Sequence, residues 1–371
     1  MSRPLHRCPL RALVTLAALL CLSGAPFASA AQDDSWQPAP YTLGQGLYFP
    51  QQGLRVGGYA DLHFYDIENQ RPTYSFRDIS LFVTKDFGSN WQAFAELDLG
   101  DALDISGIHA SSSDSELDIE RLYLDYHVDQ TINFRFGKFL TPVGEWNLVH
   151  ADPLTWTVSR PLTTSAAFAR HAAGAMMYGT MPVHGNDLDY WFYVDDSAHL
   201  NIGQDENNAY NSYGADSSLQ NNFRQAVGGR LLYHLLGDRL GIGLSLLDYQ
   251  LQQPRQQYRL AGVDFSWSGR YFEMTGEAIR RSGGPAGQPD EQGGFVEVEV
   301  PLWQRLYAVG RFERYRSAVQ AQSQTQITTL RTLGFNYRPI PGVVLKLERR
   351  EGNHNLQLAP AGWLASAAVL F

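Results

Sequence analysis

Trp91–Leu99 reads WQAFAELDL, and its side chains alternate between two chemical faces. Successive side chains of a β-strand point to opposite faces of the sheet. One face here is Trp91, Ala93, Ala95, Leu97 and Leu99; the other is Gln92, Phe94, Glu96 and Asp98. The same period of two returns in VEVEV at 296–300 and LKLE at 345–348. The pattern indicates strands with one apolar and one largely polar face.

Sixteen segments carry this signal, and their lengths match the ~9 to 11 residues that a tilted strand needs to cross a bilayer. No stretch of comparable length shows helical periodicity. The candidate strands are 54–66, 74–86, 91–99, 117–128, 131–139, 173–180, 187–195, 223–234, 239–250, 257–267, 270–281, 294–301, 305–316, 326–338, 343–351 and 362–371.

The connections between these strands alternate between short and long. The short ones are FGSN, HVDQ, MPVHGN, LLGD, SG, LWQ and RPIPG. Most of the long ones are 100–116, 140–172, 196–222, 282–293, 317–325 and 352–361. Outer-membrane barrels have short periplasmic turns and long extracellular loops. Residues 54–371 are therefore predicted to form a 16-stranded antiparallel transmembrane β-barrel.

The first thirty residues have the features of a secretory signal peptide. Three arginines precede the apolar run ALVTLAALLCLSGA, and Ala28–Ala30 supplies a small-residue cleavage site. Leu20 before Cys21 argues against lipoprotein processing, because the residue preceding a lipidated cysteine is small. We expect cleavage after Ala30, a periplasmic lead-in at 31–53 and no second domain.

Both cysteines lie in the expected signal peptide, so disulfides, cysteine-ligated metals and thiol catalysis are excluded for the mature chain. Losing Arg3, Arg7 and Arg11 leaves 26 basic against 38 acidic residues, a charge of −12. Such a charge disfavours a nucleic-acid partner.

No motif of a zinc protease, phosphate-binding loop or serine hydrolase is present. His150, Asp152 and His171 are candidates for a metal or acid–base cluster, but their spacing fits neither a helix nor one short strand. We interpret them as loop residues that meet water, and we expect no metal, no cofactor and no enzymatic activity. An outer-membrane enzyme that hydrolyses lipids or peptides, and an adhesive or structural barrel, remain the alternatives.

Charged residues on the polar faces are expected to line water, since the other faces contact lipid. The candidate pore-lining residues are Arg55, Asp61, His63, Asp98, Asp125, Arg135, Arg230, Glu273, Glu277, Glu297, Glu299, Arg311, Glu313, Lys346, Glu348 and Arg350. Sixteen strands enclose a lumen that side chains alone do not fill, so a water-filled channel is predicted.

The longest connection, 140–172, is predicted to fold into the barrel and constrict it. The connection begins within GKFLTPVGEWNLVHADP at 137–153, in which Pro142 and Gly144 break the strand. Its apolar residues should pack against the inner wall: Trp146, Leu148, Val149, Leu154 and Trp156. The predicted constriction residues are Lys138, Glu145, His150, Asp152, Arg160, Arg170 and His171. For Lys138 two positions stay open, in the channel or at the membrane rim.

GKFLTPVGEWN resembles the GKFxxPxG segment of the phosphate-selective porin group, and the chain as a whole looks like a Gram-negative porin. The matching positions are Gly137, Lys138, Phe139, Pro142 and Gly144. The resemblance implies a homotrimer in the outer membrane, surrounded by lipids and lipopolysaccharide, with an inward third loop.

The final strand, WLASAAVLF at 363–371, resembles the insertion signal that the barrel assembly machinery reads in outer-membrane proteins. Trp363, Val369 and Phe371 are the residues of that signal, on one face of the strand.

Together these features predict passive diffusion of small hydrophilic solutes or ions. A channel for a phosphate dianion should carry a ladder of basic residues. Only Lys85, Lys138 and Lys346 are lysines, and the net charge is acidic. We therefore expect weak selectivity, or a preference set by charges on the loop 140–172.

Overall fold

The computed structural model describes residues 36–107, 109–112, 115–149, 151–200, 222–252, 255–284, 290–319, 324–352 and 361–371. Sixteen long strands lie within these ranges: β1 Leu54–Ile67, β2 Thr73–Phe87, β3 Trp91–Ser106, β4 Glu116–His127, β5 Asn133–Leu140, β6 His171–Val183, β7 Asn186–Asp195, β8 Phe223–Leu235, β9 Leu240–Leu251, β10 Gln257–Ser268, β11 Glu273–Gly283, β12 Glu291–Trp303, β13 Leu306–Val319, β14 Gln324–Ile340, β15 Val343–Gly352 and β16 Gly362–Leu370. Two short strands, Leu47–Phe49 and His109–Ser111, pair with β1 and β3.

The sheet closes on itself. Each long strand pairs antiparallel with the next, and β16 pairs with β1 from Gly362 opposite Ile67 to Leu370 opposite Tyr59. Beyond this register, the Phe371 N–H donates to the Gly58 carbonyl at 2.8 Å. Closure removes the open sheet edges that a bilayer cannot tolerate. The predicted fold, a 16-stranded antiparallel barrel, is confirmed.

The two faces of the wall differ as the sequence pattern predicts. In β15, Leu345 and Leu347 are 41% and 44% exposed on the outer face, whereas the intervening Lys346 and Glu348 are buried. Apolar outward residues suit contact with lipid, and the charged ones point into the lumen.

The connections at one end of the barrel are tight turns. Residues 184–185 join β6 to β7, with His184 at φ 51° and Gly185 at φ 80°. Two successive positive φ angles belong to the hairpin turn whose twist matches the flanking strands. At the other end lies the long connection 141–170.

The boundary of β3 differs from the prediction, because the strand continues to Ser106 through part of the predicted loop 100–116. Its register shifts between Gly100 and Leu103, and Asp101 takes a φ of 45°. This bulge contains Gly100 and Asp101, a pair that resembles a turn in the sequence, and strand pairing resumes after it.

Helices are few and short in the described ranges. They are α1 Leu162–Ala166 and α2 Ser197–Leu200, together with 3-10 turns at Trp146–Val149 and Asp152–Leu154. No helix in the described ranges is long and apolar enough to cross a membrane.

The largest buried apolar cluster includes residues of the connection 141–170 and of several strand walls. Its loop members include Val143, Leu162 and Phe168, and wall members include Tyr249 and Tyr315. The apolar core of this protein therefore holds the long connection against the wall.

Candidate pore constriction

The connection between β5 and β6, residues 141–170, runs along the inner surface of the barrel. Gly144 takes a φ of 65°, Pro153 occupies the start of a 3-10 turn, and Pro161 is extended at the N-cap of α1. These are the breaks that the sequence predicts, and they prevent a long helix. We call residues 141–170 the constriction loop.

The start of the constriction loop is fixed by a wall carboxylate. Glu277 Oε1 in β11 accepts backbone N–H groups of Glu145 at 2.9 Å and Trp146 at 2.8 Å. The Gly144 N–H donates to Ser245 Oγ in β9 at 3.3 Å. The two bonds to the Glu277 carboxylate are charge-assisted, and such bonds are about twice as strong as neutral ones.

The far part of the loop is held by two more wall carboxylates. Glu348 in β15 accepts the N–H groups of Val158 at 2.8 Å and Ser159 at 3.1 Å. Glu313 in β13 accepts the N–H of Leu162 at 2.8 Å. In a closed ring of sixteen strands β13 lies opposite β5, where the loop begins. The constriction loop therefore crosses the lumen.

Arg311 in β13 is the most connected tether between wall and loop. Its guanidinium, buried in the wall, donates to Glu297 at 3.0 Å and Glu313 at 2.8 Å. It also donates to the hydroxyls of Thr157 at 2.5 Å and Ser159 at 2.7 Å in the loop. A single side chain thus links β12, β13 and the constriction loop.

Lys346 in β15 forms a second tether. Its ammonium donates to the Asp152 backbone oxygen at 2.6 Å, Asp152 Oδ1 at 3.0 Å, Thr155 Oγ1 at 2.8 Å and the Thr157 oxygen at 3.1 Å. The Ser366 hydroxyl in β16 donates to Asp152 Oδ2 at 2.9 Å. These bonds hold one 3-10 turn of the loop against the closing strands.

The two loop carboxylates have opposite electrostatic environments. Burial raises the pKa of Glu145, and nearby Arg230 offsets only part of that rise. Burial also acts to raise the pKa of Asp152, but the Lys346 ammonium and the His63 imidazole outweigh it, so this pKa is lowered. Asp152 is therefore ionised over the neutral pH range.

Basic side chains lie at the β4–β6 side of the lumen. Arg170, at the end of the loop, pairs with Glu120 in β4, and His171 Nε2 lies 3.4 Å from the same carboxylate. Arg135 in β5 forms a bidentate pair with Asp125, with both distances 2.8 Å. The wall carboxylates that bind the loop backbone lie on the opposite half of the wall, at Glu277 in β11, Glu313 in β13 and Glu348 in β15.

Replacing Gly144 with alanine should destabilise the barrel and displace the start of the loop. An added Cβ would lie 2.6 Å from the Glu277 carboxylate, at a φ of 65° that disfavours a side chain. We expect a loss of about 2 kcal/mol or more in unfolding free energy, measured by urea titration of the folded protein in detergent.

Gly185→Ala is the matched control for this substitution. Gly185 has a similar φ of 80°, but an added Cβ has no heavy atom within 4 Å. The control isolates the backbone cost of about 1 kcal/mol. Equal losses for both variants would show that the contact of Gly144 with Glu277 does not matter.

Lys138 is held by the wall of the barrel. Its ammonium donates to the Ile119 carbonyl oxygen in β4 at 2.9 Å, and the residue is buried. The pairing of β5 with β4 and β6 continues through Gly137 and Lys138 without a register shift. Lys138 is therefore buried although its parity opposes that of Arg135.

Of the remaining predicted constriction residues, four lie on the loop, His171 begins β6, and His150 is outside the described residues; the four are Glu145, Asp152, Arg160 and Arg170. Arg160 donates to Asn147 Oδ1 at 2.5 Å and lies 5.3 Å from the Trp146 ring. His171 and Asp152 belong to separate clusters, around Glu120 and Lys346 respectively.

The prediction that all the apolar loop residues pack against the inner wall is wrong for two of them. Val149 is 38% exposed and Leu154 is 49% exposed. The second 3-10 turn places Asp152 and Pro153 against the wall, so the adjoining Leu154 faces away from it.

Most predicted wall residues occupy buried positions in the described structure. These are Asp61, His63, Asp125, Arg230, Glu277, Glu297, Glu299, Arg311, Glu313, Lys346, Glu348 and Arg350. Arg55 is exposed, and Asp98, Arg135 and Glu273 are partly exposed. Of the C-terminal residues, Trp363 is exposed on the outer face, Val369 is on the same strand, and Phe371 pairs with Gly58.

Two acidic residues that pair with predicted basic residues were not predicted from the sequence. Asp264 in β10 pairs with Arg230, and Glu120 in β4 pairs with Arg170. Strand parity alone could have identified Asp264, because Leu260 and Asp264 lie on one face. Glu120 lies at a register shift between Glu96 and Leu97, where parity fails.

The closed barrel and the loop that crosses its lumen define a porin-type barrel. Solved structures of that class share the fold. An anion-selective porin from Comamonas acidovorans superposes with a TM-score of 0.59 at 14% identity, covering 86% of this chain and 100% of that chain. OmpT of Vibrio cholerae, an outer membrane protein in its trimer form, gives 0.57 at 10% identity, covering 86% and 99%.

Within that class, residues 53–225 match the sequence model of the family described as Phosphate-selective porin O and P. This match contains the segment at 137–144 and confirms the resemblance to phosphate-selective porins. An uncharacterized protein of Aquifex aeolicus is 22% identical over 347 residues, covering 81% of this chain and 76% of that protein.

Proposed function

We propose that this protein is an outer-membrane porin that lets small hydrophilic solutes or ions diffuse through a water-filled channel. The constriction loop carries this proposal, because wall carboxylates hold its backbone across the lumen. The family match and the porin fold support a channel in the outer membrane of a Gram-negative bacterium.

The mechanism follows from three physical roles. The barrel replaces the hydrocarbon barrier with a polar interior. The constriction loop covers the wall around Glu277, Glu313 and Glu348 and narrows the passage. Charges at the edges of that passage set up a field that favours one sign of solute.

Single-channel recording in planar bilayers tests this function. Pure, folded protein should give discrete, ohmic conductance steps in salt solution. Protein that is folded by circular dichroism but produces no steps above the detergent-only control would refute the channel.

We propose that the chain is a channel and that it has no hydrolase activity. Ser366, Asp152 and His63 lie together, which is the residue set of a serine hydrolase. However, the Ser366 hydroxyl donates to the Asp152 carboxylate, whereas a hydrolase needs its serine hydrogen-bonded to the histidine. Lipase or protease activity lost in Ser366→Ala would support the enzyme instead.

Arginines on the constriction loop are proposed to set ion preference. Replacing Arg160 and Arg170 with alanine should shift the reversal potential toward cations under a salt gradient. Removal of Arg170 also takes the guanidinium away from Glu120, which adds to the negative field. Arg259→Ala is the control, because that exposed arginine pairs with Asp248 away from the loop. An unchanged potential would exclude the two arginines from the passage.

The assembly is proposed to be a homotrimer. A structural neighbour, OmpT of Vibrio cholerae, is described in a trimer form. We also propose that residues 1–30 are a cleaved signal peptide, that lipid and lipopolysaccharide surround the barrel, and that the assembly machinery reads its last strand. Mass determination of the protein in detergent should give three chains; one chain would contradict the trimer.

A further inference from the structure

Three ionisable side chains meet where the constriction loop contacts the first strand. Asp61 and His63 extend from β1, and Asp152 extends from the loop; all three are buried. His63 Nε2 lies 3.4 Å from Asp61 Oδ1 and 3.6 Å from Asp152 Oδ1. One ligand atom from each residue falls within 4.8 Å of the others.

Two atoms of this cluster have unused bonding capacity, whereas Asp61 Oδ1 accepts the Asp78 N–H at 3.1 Å. In the described ranges His63 Nε2 and Asp61 Oδ2 are buried without a hydrogen-bond partner. Both distances from Nε2 to the carboxylates exceed those of a good hydrogen bond. A buried polar atom without a partner is costly, and such groups in folded proteins call for a water, an ion or a ligand.

We propose that Asp61, His63 and Asp152 bind a divalent transition-metal ion of the zinc class. Imidazole nitrogen and carboxylate oxygen are ordinary zinc ligands, at about 2.1 Å from the ion. A tetrahedral ion with such bonds holds neighbouring ligand atoms about 3.4 Å apart. The observed distances of 3.4 and 3.6 Å fit that spacing without moving the backbone.

The surroundings also fix the imidazole in a ligating position. The Tyr65 hydroxyl lies 2.8 Å from His63 Nδ1, and Arg77 donates to the Tyr65 oxygen at 3.3 Å. Anchoring one ring nitrogen by a second-shell partner orients the other toward the metal. Here the other nitrogen is directed between the two carboxylates.

Lys346 is compatible with an ion at this site. Its ammonium has three protons but lies within hydrogen-bond distance of four acceptor atoms. It can release Asp152 Oδ1 and keep the Asp152 backbone oxygen, Thr155 Oγ1 and the Thr157 oxygen. The carboxylate then becomes available to the ion while the loop stays tethered.

The site would join two separate parts of the chain. Asp61 and His63 belong to the barrel wall, whereas Asp152 belongs to the constriction loop. A bound ion would therefore fasten the loop to β1, beside its attachment to Lys346.

Titration of chelator-treated, folded protein in detergent with Zn²⁺ alone tests the proposal by calorimetry. We expect one ion per chain, and Co²⁺ alone should give the strong visible bands of tetrahedral coordination. His63→Ala should weaken Zn²⁺ binding by more than the ~10- to 100-fold that second-shell changes cost. Asp61→Asn and Asp152→Asn should each weaken binding as well.

His234→Ala is the matched control. His234 also has two acidic neighbours, Asp189 at 2.9 Å and Asp238 at 3.7 Å, but His234 and Asp189 are partly exposed and Asp238 is exposed. The control should bind Zn²⁺ like the unaltered protein. Wild-type protein that binds no Zn²⁺ at millimolar concentration would overturn the site. The site would also be overturned if folded His63→Ala or Asp152→Asn bound Zn²⁺ with wild-type affinity. None of these measurements records conductance, so their outcome does not depend on whether the protein is a channel.

Discussion

Replacing residues 146–160 with a short glycine–serine linker is expected to raise single-channel conductance by about twofold or more, because an open sixteen-stranded barrel encloses a wide aqueous lumen. The replaced segment includes the loop residues bound by Glu348, Arg311 and Lys346. The linker carries none of the side chains that occupy the lumen between the remaining attachments at Glu277 and Glu313. The measurement is the conductance histogram in planar bilayers at fixed salt concentration.

A deletion of equal length at 206–220 provides the control. It removes a polar segment of the connection between β7 and β8, which lies outside the described residues. Its conductance should stay at the wild-type value. If the linker variant is folded and also keeps that value, the constriction must be formed by other residues.

Removal of the Arg311 guanidinium is expected to give the largest loss of stability among single substitutions of the tether. Arg311→Met keeps much of the volume but leaves Glu297 and Glu313 as buried carboxylates without their cation. Breaking a buried pair on one side costs about 3–5 kcal/mol. The loss of bonds to Thr157 and Ser159 should also free the loop and increase the noise of the open channel.

Arg259→Met controls for the loss of a charged residue. Arg259 pairs with Asp248 on the exposed surface, where an ion pair contributes about 1 kcal/mol or less. Unfolding free energies come from urea titrations in the same detergent. A loss for Arg311→Met as small as that for Arg259→Met would mean that the carboxylates find other partners and the tether is weak.

The sequence predicts the barrel because its physical constraint is local. A strand with lipid on one side and water on the other must alternate, as Leu345 to Glu348 do. The positions of the site residues are harder to predict from the sequence wherever side chains stop alternating between the two faces of a strand. Lys138 is buried although its parity opposes that of Arg135, and the register shift beside Glu96 places Glu120 out of phase.

Contacts between distant parts of the chain were beyond prediction from the pattern. His63 and Asp61 have the spacing of two ligands on one strand, but their partner Asp152 is joined to them only by the path of the loop. The sequence analysis assigned Asp152 to a group with His150 and His171, and it predicted no metal site. The side of the loop that faces the wall is likewise decided by Lys346 and Glu348, which are far away in sequence.

Glu277, Glu313 and Glu348 bind main-chain N–H groups of the constriction loop, and every amino acid except proline supplies that group. Substitutions at Trp146 or Val158 can therefore accumulate during evolution without losing these attachments. A lineage that encounters a new nutrient can change which solutes pass through the channel by substituting side chains of the constriction loop. The attachments of the loop backbone to the wall then stay the same.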